Sequence, residues 1–295
     1  MTLTLQSTRK LNDGNEIPAL GFGVYQSEPG DETEQAVLLA LEAGYRHIDT
    51  ASCKNSKNDG NRSAVTFTND GFHLVGYYNE ESVGAALKKC NIPRSQLWDT
   101  DHGYDKAKEA CYESLRKLGL DYVDLYLIHS SPGTGKQLRS ESWKALEELK
   151  KEGKVRSIGV SNYGVHHMKE VFEVGSIKPA INQIEVTPYQ VRDELCRFCQ
   201  ENGVVVEAFS PLTMGLKLKE PRLNKIAQKY GKQPAQILIR WSLQRGLIPL
   251  PKSVNKQRIT DNANVFDFEI SAEDMEALTN MDEYLVTEWD PTKLP

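Results

Sequence analysis

The sequence predicts an α/β protein built around one parallel sheet, and three observations carry that prediction. Strand-like and helix-period segments alternate from Tyr104 to Ser253. One of them, DYVDLYLIH at 121–129, is an almost unbroken apolar run, the pattern of a parallel strand buried on both faces. No Gly/Pro/Ser-rich linker interrupts the succession, so residues 1–295 are expected to form a single domain.

The elements follow in order. An Asp-Gly turn signal at Asp13-Gly14 lies within STRKLNDGNEIPALG. LGFGVYQ at 20–26 is a strand, DETEQAVLLALEAG a helix and YRHIDTA at 45–51 a second strand. Residues 54–76 then break the rhythm with the Asn, Asp and Gly content of an inserted loop. NEESVGAALKKC is the next helix. It leads through NIPRSQLWDTDHG straight into the helix DKAKEACYESLRKLGL, with no apolar run long enough for a strand, so a strand is expected to be missing between Leu97 and Trp98. After DYVDLYLIH come the helix ESWKALEELKKEGK, with Gly153 placed to stop it, and the β-branched strand VRSIGVSN. MKEVFEVG, KPAINQIEV, DELCRFCQENG and VVVEAFSPL repeat the alternation, with Gly203 as the second stop. A helical region at 222–245, the strand GLIPLPKS and a last helix KQRITDNANVF complete the chain. The strands number seven, one short of a closed eight-stranded barrel.

Composition narrows the function. Lys and Arg total 36 against 41 Asp and Glu, a net charge of −5, so no basic surface exists to neutralise a run of phosphates and nucleic acid is excluded as a partner. With 39% hydrophobic and 26% charged residues, a sizeable core is expected. No apolar run reaches the ~18 residues of a membrane span, and MTLTLQSTRK is too polar for a signal-peptide core, so a cytoplasmic protein without membrane contact is expected. Five scattered cysteines make no disulfide framework. Cys196 and Cys199 form a CxxC inside a helix-period segment with no further ligands nearby, so no metal is expected; His166 and His167 read as a solvated stretch at a helix start. SSPGTGKQ at 130–137 mimics a P-loop, but Ser130 replaces its first Gly and Gln137 its Ser/Thr; GFGVYQ lacks the third Gly of a dinucleotide fingerprint.

LGFGVYQ, GYRHIDTA, YYNEESVG, SLRKLGLDYVDLYLIH, GKVRSIGVSNY, INQIEVTPY, AFSPL and LPKSVNKQRITDN, in this order over nearly the whole chain, resemble the successive signatures of the aldo-keto reductase family. The resemblance implies a (β/α)8 TIM barrel with an N-terminal β-hairpin, imperfect if one strand is deleted, and hydride transfer from NADPH to an aldehyde or ketone such as a sugar or short aldehyde. A monomer acting on a small carbonyl compound is expected.

Carried over position by position, the resemblance puts the catalytic set at Asp49, His129 and Tyr77, with Tyr78 as the register-shifted competitor of Tyr77. Nicotinamide contacts fall on Ser161, Asn162 and Gln183, and Phe209 stacks on the ring. Val24 joins the cofactor site. Ser210, Leu212 and the backbone of TMG hold the pyrophosphate; Lys252, Ser253 and Arg258 hold the 2′-phosphate; Asn262 meets the adenine. Asp261 stands where the family commonly has Glu. Tyr25, Trp98 and His129 face the substrate, with Val24 and the segment around Trp289 completing an aromatic pocket. The family also has a lysine in a segment of about six residues, a strand's length, that precedes Leu-Trp; here IPRSQL joins WDTDHG directly. Lys54 and Lys57 are the conceivable substitutes. The departure makes a non-catalytic NADP-binding regulatory module, or a defective gene-model or splice product, the alternative reading.

Overall fold

The computed structural model describes residues 3–51, 77, 79–89, 102–131, 135–287 and 289–294, together with the backbone of 97–99. The 54–76 segment, with Lys54 and Lys57, lies outside the described residues, as do Tyr78, Cys53 and Cys90.

The chain opens with a hairpin of β1 (Thr8–Lys10) and β2 (Glu16–Pro18), paired antiparallel across the Asp13-Gly14 turn. Among the described residues, eight βα-type strands follow. They are β3 (Phe22–Gly23), β4 (Ile48–Asp49), β5 (Leu97–Asp99), β6 (Val123–Ile128), β7 (Val155–Ser161), β8 (Ile181–Glu185), β9 (Val205–Phe209) and β10 (Ile248–Pro249). Strands β5 to β10 form one sheet in sequence order, with every adjacent pair parallel, and β3 pairs parallel with β4. The last strand lies next to the first. Gly21 and Gly23 donate their backbone N–H groups to the carbonyls of Pro249 and Pro251, at 3.1 Å each. That cyclic order is the arrangement of a (β/α)8 barrel.

The strand expected to be missing is therefore present. Leu97, Trp98 and Asp99 pair with Tyr126, Leu127 and Ile128 of β6. Three residues give no periodicity to read. Their extended course comes from the neighbouring ladder, a case of tertiary context overriding local pattern.

The intervening helices are α1 (Asp31–Glu42), α2 (Glu80–Lys89), α3 (Tyr104–Leu118), α4 (Gly135–Lys151), α5 (Val165–Val174), α6 (Asp193–Glu201), α7 (Pro221–Lys229), α8 (Pro234–Gln244), α9 (Lys256–Ala263) and α10 (Ala272–Thr279). Gly153 and Gly203 follow α4 and α6 at φ of 71° and 72°, the left-handed conformation that ends a helix and that glycine adopts without Cβ strain. Two expectations change here. The helical region at 222–245 is two helices, with Pro234 opening the second at its first turn. The last helix is α10, which Ser271 caps by accepting from the Asp274 N–H, rather than the KQRITDNANVF helix.

Alternation along the strands sorts side chains into two layers. Leu125 and Leu127 of β6, Ile181 of β8 and Ile248 of β10 pack inside the barrel, where Leu11 and Ile17 of the hairpin cover one end. Tyr126 and Ile128 point outward, onto the helices with Trp143 and Leu146. The hairpin closes the end where strands begin: Asn12 Nδ2 donates to the Pro179 carbonyl at 2.7 Å and Lys150 pairs with Asp13 at 2.8 Å. The opposite end, at the C-termini of the strands, stays open for a site.

His167 is not solvated, as its neighbours suggested, but fully buried at the start of α5, where its Nδ1 accepts the Gly164 N–H at 3.1 Å. Burial, with His166 and Arg139 nearby, holds it down at about 4. The unfolded chain takes up this proton near 6.5 and the folded chain only near 4, so stability is retained above pH 6.5 and falls as pH drops through that window. Urea unfolding at pH 7 and pH 4.5 is expected to show a loss of roughly 2–3 kcal/mol from this group. Equal midpoints would contradict it.

Candidate active site

The open end of the barrel carries the ends of four strands that bear expected site residues. Asp49 ends β4, His129 follows β6, Ser161 ends β7 and Phe209 ends β9. A cavity of about 650 Å³ opens there. Its wall includes Tyr25, Asp49 and Tyr77 on one side, and Phe209, Ser210, Leu212, Lys252, Ser253, Arg258, Asp261 and Asn262 on the other. Residues expected for chemistry and residues expected for a dinucleotide thus meet in one space.

Tyr77 is placed by its surroundings. Its ring lies against Tyr25, with centroids 4.8 Å apart. Two residues on, Asn79 is fully buried and ties the chain down. Its Oδ1 accepts from Thr50 Oγ1 at 2.9 Å, and its Nδ2 donates to the carbonyls of Val24 at 3.0 Å and Ser27 at 3.2 Å. The ends of β3 and β4 and the entry to α2 are fixed by one side chain. The position of the chain just before α2, where Tyr77 stands, is thereby set.

His129 is partly buried at the end of β6 and is not among the residues that line the cavity, and burial, with a smaller contribution from His102, pushes its imidazole down to about 4. It is neutral at pH 7. Its backbone carbonyl accepts from Asn162 Nδ2 at 3.1 Å.

Ser161, Asn162 and Gln183 form a buried cluster behind the cavity wall. Ser161 Oγ donates to the Gln183 carbonyl at 2.8 Å, and the Asn162 N–H donates to the same oxygen at 2.8 Å. Asn162 holds φ of 59°, a left-handed conformation that asparagine tolerates better than most residues. Gln183 Nε2 donates to Asp49 Oδ1 at 3.2 Å and to Glu207 Oε2 at 2.8 Å.

The loop after β9 is unusual in its backbone. Ser210, Thr213 and Met214 all have φ near +50°, costly for residues with a Cβ and characteristic of segments shaped around a ligand. On the far side, Asn255 caps α9 by accepting the Arg258 N–H at 3.0 Å, so Arg258 projects from the first turn of a helix, the end that favours anions. Lys252 Nζ donates to the Gln26 carbonyl at 3.3 Å.

Most of the expected positions converge, with exceptions. Val24 is fully buried in the outer core and contributes its carbonyl to Asn79, while Gly23 and Tyr25 form the cavity wall in its place. Gln183, Ser161 and Asn162 reach the site through Asp49 and the strand ends rather than by lining the cavity. The side chain of Trp98 lies outside the described residues; its backbone stands in β5. Sequence reasoning missed Gln26, Asn224, Gln233 and Gln236 on the cavity wall, and Glu207 beneath it. Glu207 left a signal: a carboxylate at the inward parity of VVVEAF needs a partner, because a buried charge without one is costly. Cys196 and Cys199 are buried, and burial pushes their thiols up to about 11 and about 12. Of the P-loop mimic, Gly135, Lys136 and Gln137 form the first turn of α4.

No helix among the described residues is long and apolar enough to cross a membrane. The model of the Aldo/keto reductase family matches residues 19–283. The chain is 40% identical over 284 residues to the glyoxal reductase of Bacillus subtilis, covering 94% of each. Among solved structures, a Bombyx mori aldo-keto reductase in complex with NADP is 32% identical, with a TM-score of 0.83 and 99% of both chains covered. A variant of Gox0644 in complex with NADPH is 36% identical, with a TM-score of 0.85 over 98% of this chain and 99% of that one. With a family match across most of its length and barrel geometry to support it, this chain belongs to the aldo/keto reductase family of oxidoreductases.

Proposed function

We propose that this chain reduces a short aldehyde or ketone to the alcohol, with NADPH as hydride donor and Tyr77 as proton donor. One observation carries the reading: a single cavity is lined both by Asp49 and Tyr77 and by Phe209, Ser210, Lys252, Arg258 and Asn262. NADPH fits the donor set. Phe209 offers a flat face for a pyridine ring, Lys252 and Arg258 offer positive charge at the α9 terminus for a 2′-phosphate, and Gln183 Oε1 is a buried acceptor without a hydrogen-bond partner among the described residues. When bound, NADPH supplies the hydride. The chain supplies the rest.

The Tyr77 hydroxyl gives its proton to the carbonyl oxygen as that oxygen becomes an alkoxide, with Asp49 on the same wall. His129, neutral at pH 7, orients that oxygen by donating a hydrogen bond and is not the acid. A phenol ordinarily loses its proton near ~10, and the family's lysine, which lowers that barrier, has no counterpart before Leu97. We therefore read the chain as a slow reductase whose domain is residues 1–295, acting as a cytoplasmic monomer. Similarity to the glyoxal reductase of Bacillus subtilis makes glyoxal the first substrate to assay.

Two experiments test this. Arg258→Ala is expected to weaken NADPH by about tenfold or more while leaving NADH nearly unchanged, because a charge-assisted bond to phosphate is lost for one cofactor only. Equal losses in fluorescence titrations would refute the 2′-phosphate assignment. In the second, residues 54–76 are removed and about six residues ending in Thr-Lys are restored before Leu-Trp. The double change is expected to raise aldehyde turnover by about 10²-fold or more, whereas removing 54–76 alone is not. A parent chain as fast as the repaired one would show that another group assists Tyr77.

A further inference from the structure

Beneath the cavity, three ionisable side chains meet inside the barrel, and the reaction as described uses only one of them. His47 stands two residues before Asp49 with the same inward parity, and Glu207 projects from β9; His47 and Glu207 are fully buried and Asp49 is 3% exposed. The Gln183 NH2 group bridges the two carboxylates, donating to Asp49 Oδ1 at 3.2 Å and to Glu207 Oε2 at 2.8 Å. The bridged oxygens therefore lie within about 6 Å of each other. His47 Nε2 faces the other Glu207 oxygen at 3.5 Å. Gly21 packs against the second ring nitrogen, where a Cβ would fall 2.8 Å from Nδ1, so the imidazole is held in place.

Two carboxylates this close in a dry site do not both stay ionised; one of them takes up a proton. A histidine beside one changes the balance. Whichever of His47 and Glu207 holds the proton, the pair carries no net charge, and the negative charge of the cluster is left on Asp49, the member that lines the cavity. Loss of a hydride leaves a nicotinamide ring positively charged, and a carboxylate on the same wall stabilises that form. We propose that His47 is a positioning residue: it neutralises Glu207 inside the barrel, so that Asp49 keeps its negative charge at the cavity wall and favours the oxidised form of the cofactor. The inference rests on the NADPH reading above and adds to it a residue that acts through Glu207. Among the described residues, β3, β10 and the hairpin residues Leu11 and Ile17 bring no ionisable group to the cluster, and Glu185 of β8 is engaged with Thr287. Tyr77 stands before α2, His129 after β6 is neutral at pH 7, and Lys252 and Arg258, on the far wall, are common to every variant below.

The prediction is a ratio. NADP+ and NADPH share every group except the ring, including a 2′-phosphate that itself titrates near ~6, so the ratio of their dissociation constants isolates the charge on the ring. The parent chain is expected to keep that ratio level between pH 5.5 and 8. In His47→Gln, Glu207 loses its counter-charge but keeps a hydrogen-bond donor, and the two carboxylates compete for one proton, which moves their joint titration up by about two pH units. Asp49 then takes up a proton as pH falls. Affinity for NADP+ relative to NADPH is expected to drop about fivefold or more between pH 8 and pH 5.5. Glu207→Gln added to His47→Gln removes the competing carboxylate, and the ratio is expected to become level again.

The measurement is equilibrium titration of both cofactors by protein fluorescence at each pH, on chains whose folding is checked by circular dichroism. A merely structural role for His47 would weaken both cofactors alike at every pH, and a level ratio in His47→Gln overturns the proposal. So does a double variant that keeps the drop. If neither variant folds, the parent decides: a preference for NADP+ that falls between pH 8 and pH 5.5 would show Asp49 losing its charge with His47 in place. A parent chain that binds neither cofactor is a different result: it removes the NADPH reading itself, and the proposal with it.

Discussion

Tyr77→Phe is expected to lower the rate of aldehyde reduction by about 10²–10⁴-fold while NADPH affinity stays within about twofold. The substitution removes one oxygen and keeps the ring that lies 4.8 Å from Tyr25, so the cavity wall survives and only the proton is lost. Tyr78→Phe serves as the control. By the register of the YYNE motif it should leave the rate unchanged, and a large loss there with none at Tyr77 would move the proton donor by one residue. The separation of rate from affinity matters, because a packing defect would lower both.

Asn79→Ala is expected to cost about 3 kcal/mol or more of stability, and most of the turnover with it. The variant takes their Asn79 partner from the Thr50 hydroxyl and the Ser27 carbonyl, and one of two donors from the Val24 carbonyl, which keeps the Ser27 N–H at 3.0 Å. A buried polar group left without a partner costs about 1–3 kcal/mol. Since Asn79 also fixes the point at which Tyr77 enters the site, its loss should reduce kcat more than it raises KM. Urea unfolding and steady-state kinetics on the same preparation check both parts. A midpoint within experimental error of the parent would show that the three groups find other partners.

Much of the barrel was legible because its strands have length. DYVDLYLIH and VRSIGVSN contain enough residues for burial on both faces to leave a pattern, and β6 and β7 fall inside them. Leu97–Asp99 does not, and the strand there was missed because three residues carry no period; the ladder with β6 is information stored in another part of the chain. The same holds for the extra helix α10, whose apolar content is thin, and for His167, whose burial depends on how α5 packs and not on its neighbours in sequence. At the site, LPKSVNKQR and INQIE were readable because they are contiguous motifs. The inner cluster was not: His47, Gln183 and Glu207 are far apart in the chain and meet only because β4, β8 and β9 each turn alternate residues inward. Gln233 and Gln236 reach the cavity wall from the start of α8, a position no motif marks.

The most direct test of the central claim follows a label. The chain as it stands is incubated with glyoxal and with NADPH deuterated at the transferable ring position, and the alcohol is analysed by mass spectrometry beside a Tyr77→Phe control. The account predicts one deuterium on the carbinol carbon, formed slowly by the parent and at least about 10²-fold more slowly by the variant. Saturable NADPH binding with no labelled alcohol from the parent, under conditions where the Bacillus subtilis relative forms it, would contradict the assignment of this chain as a reductase.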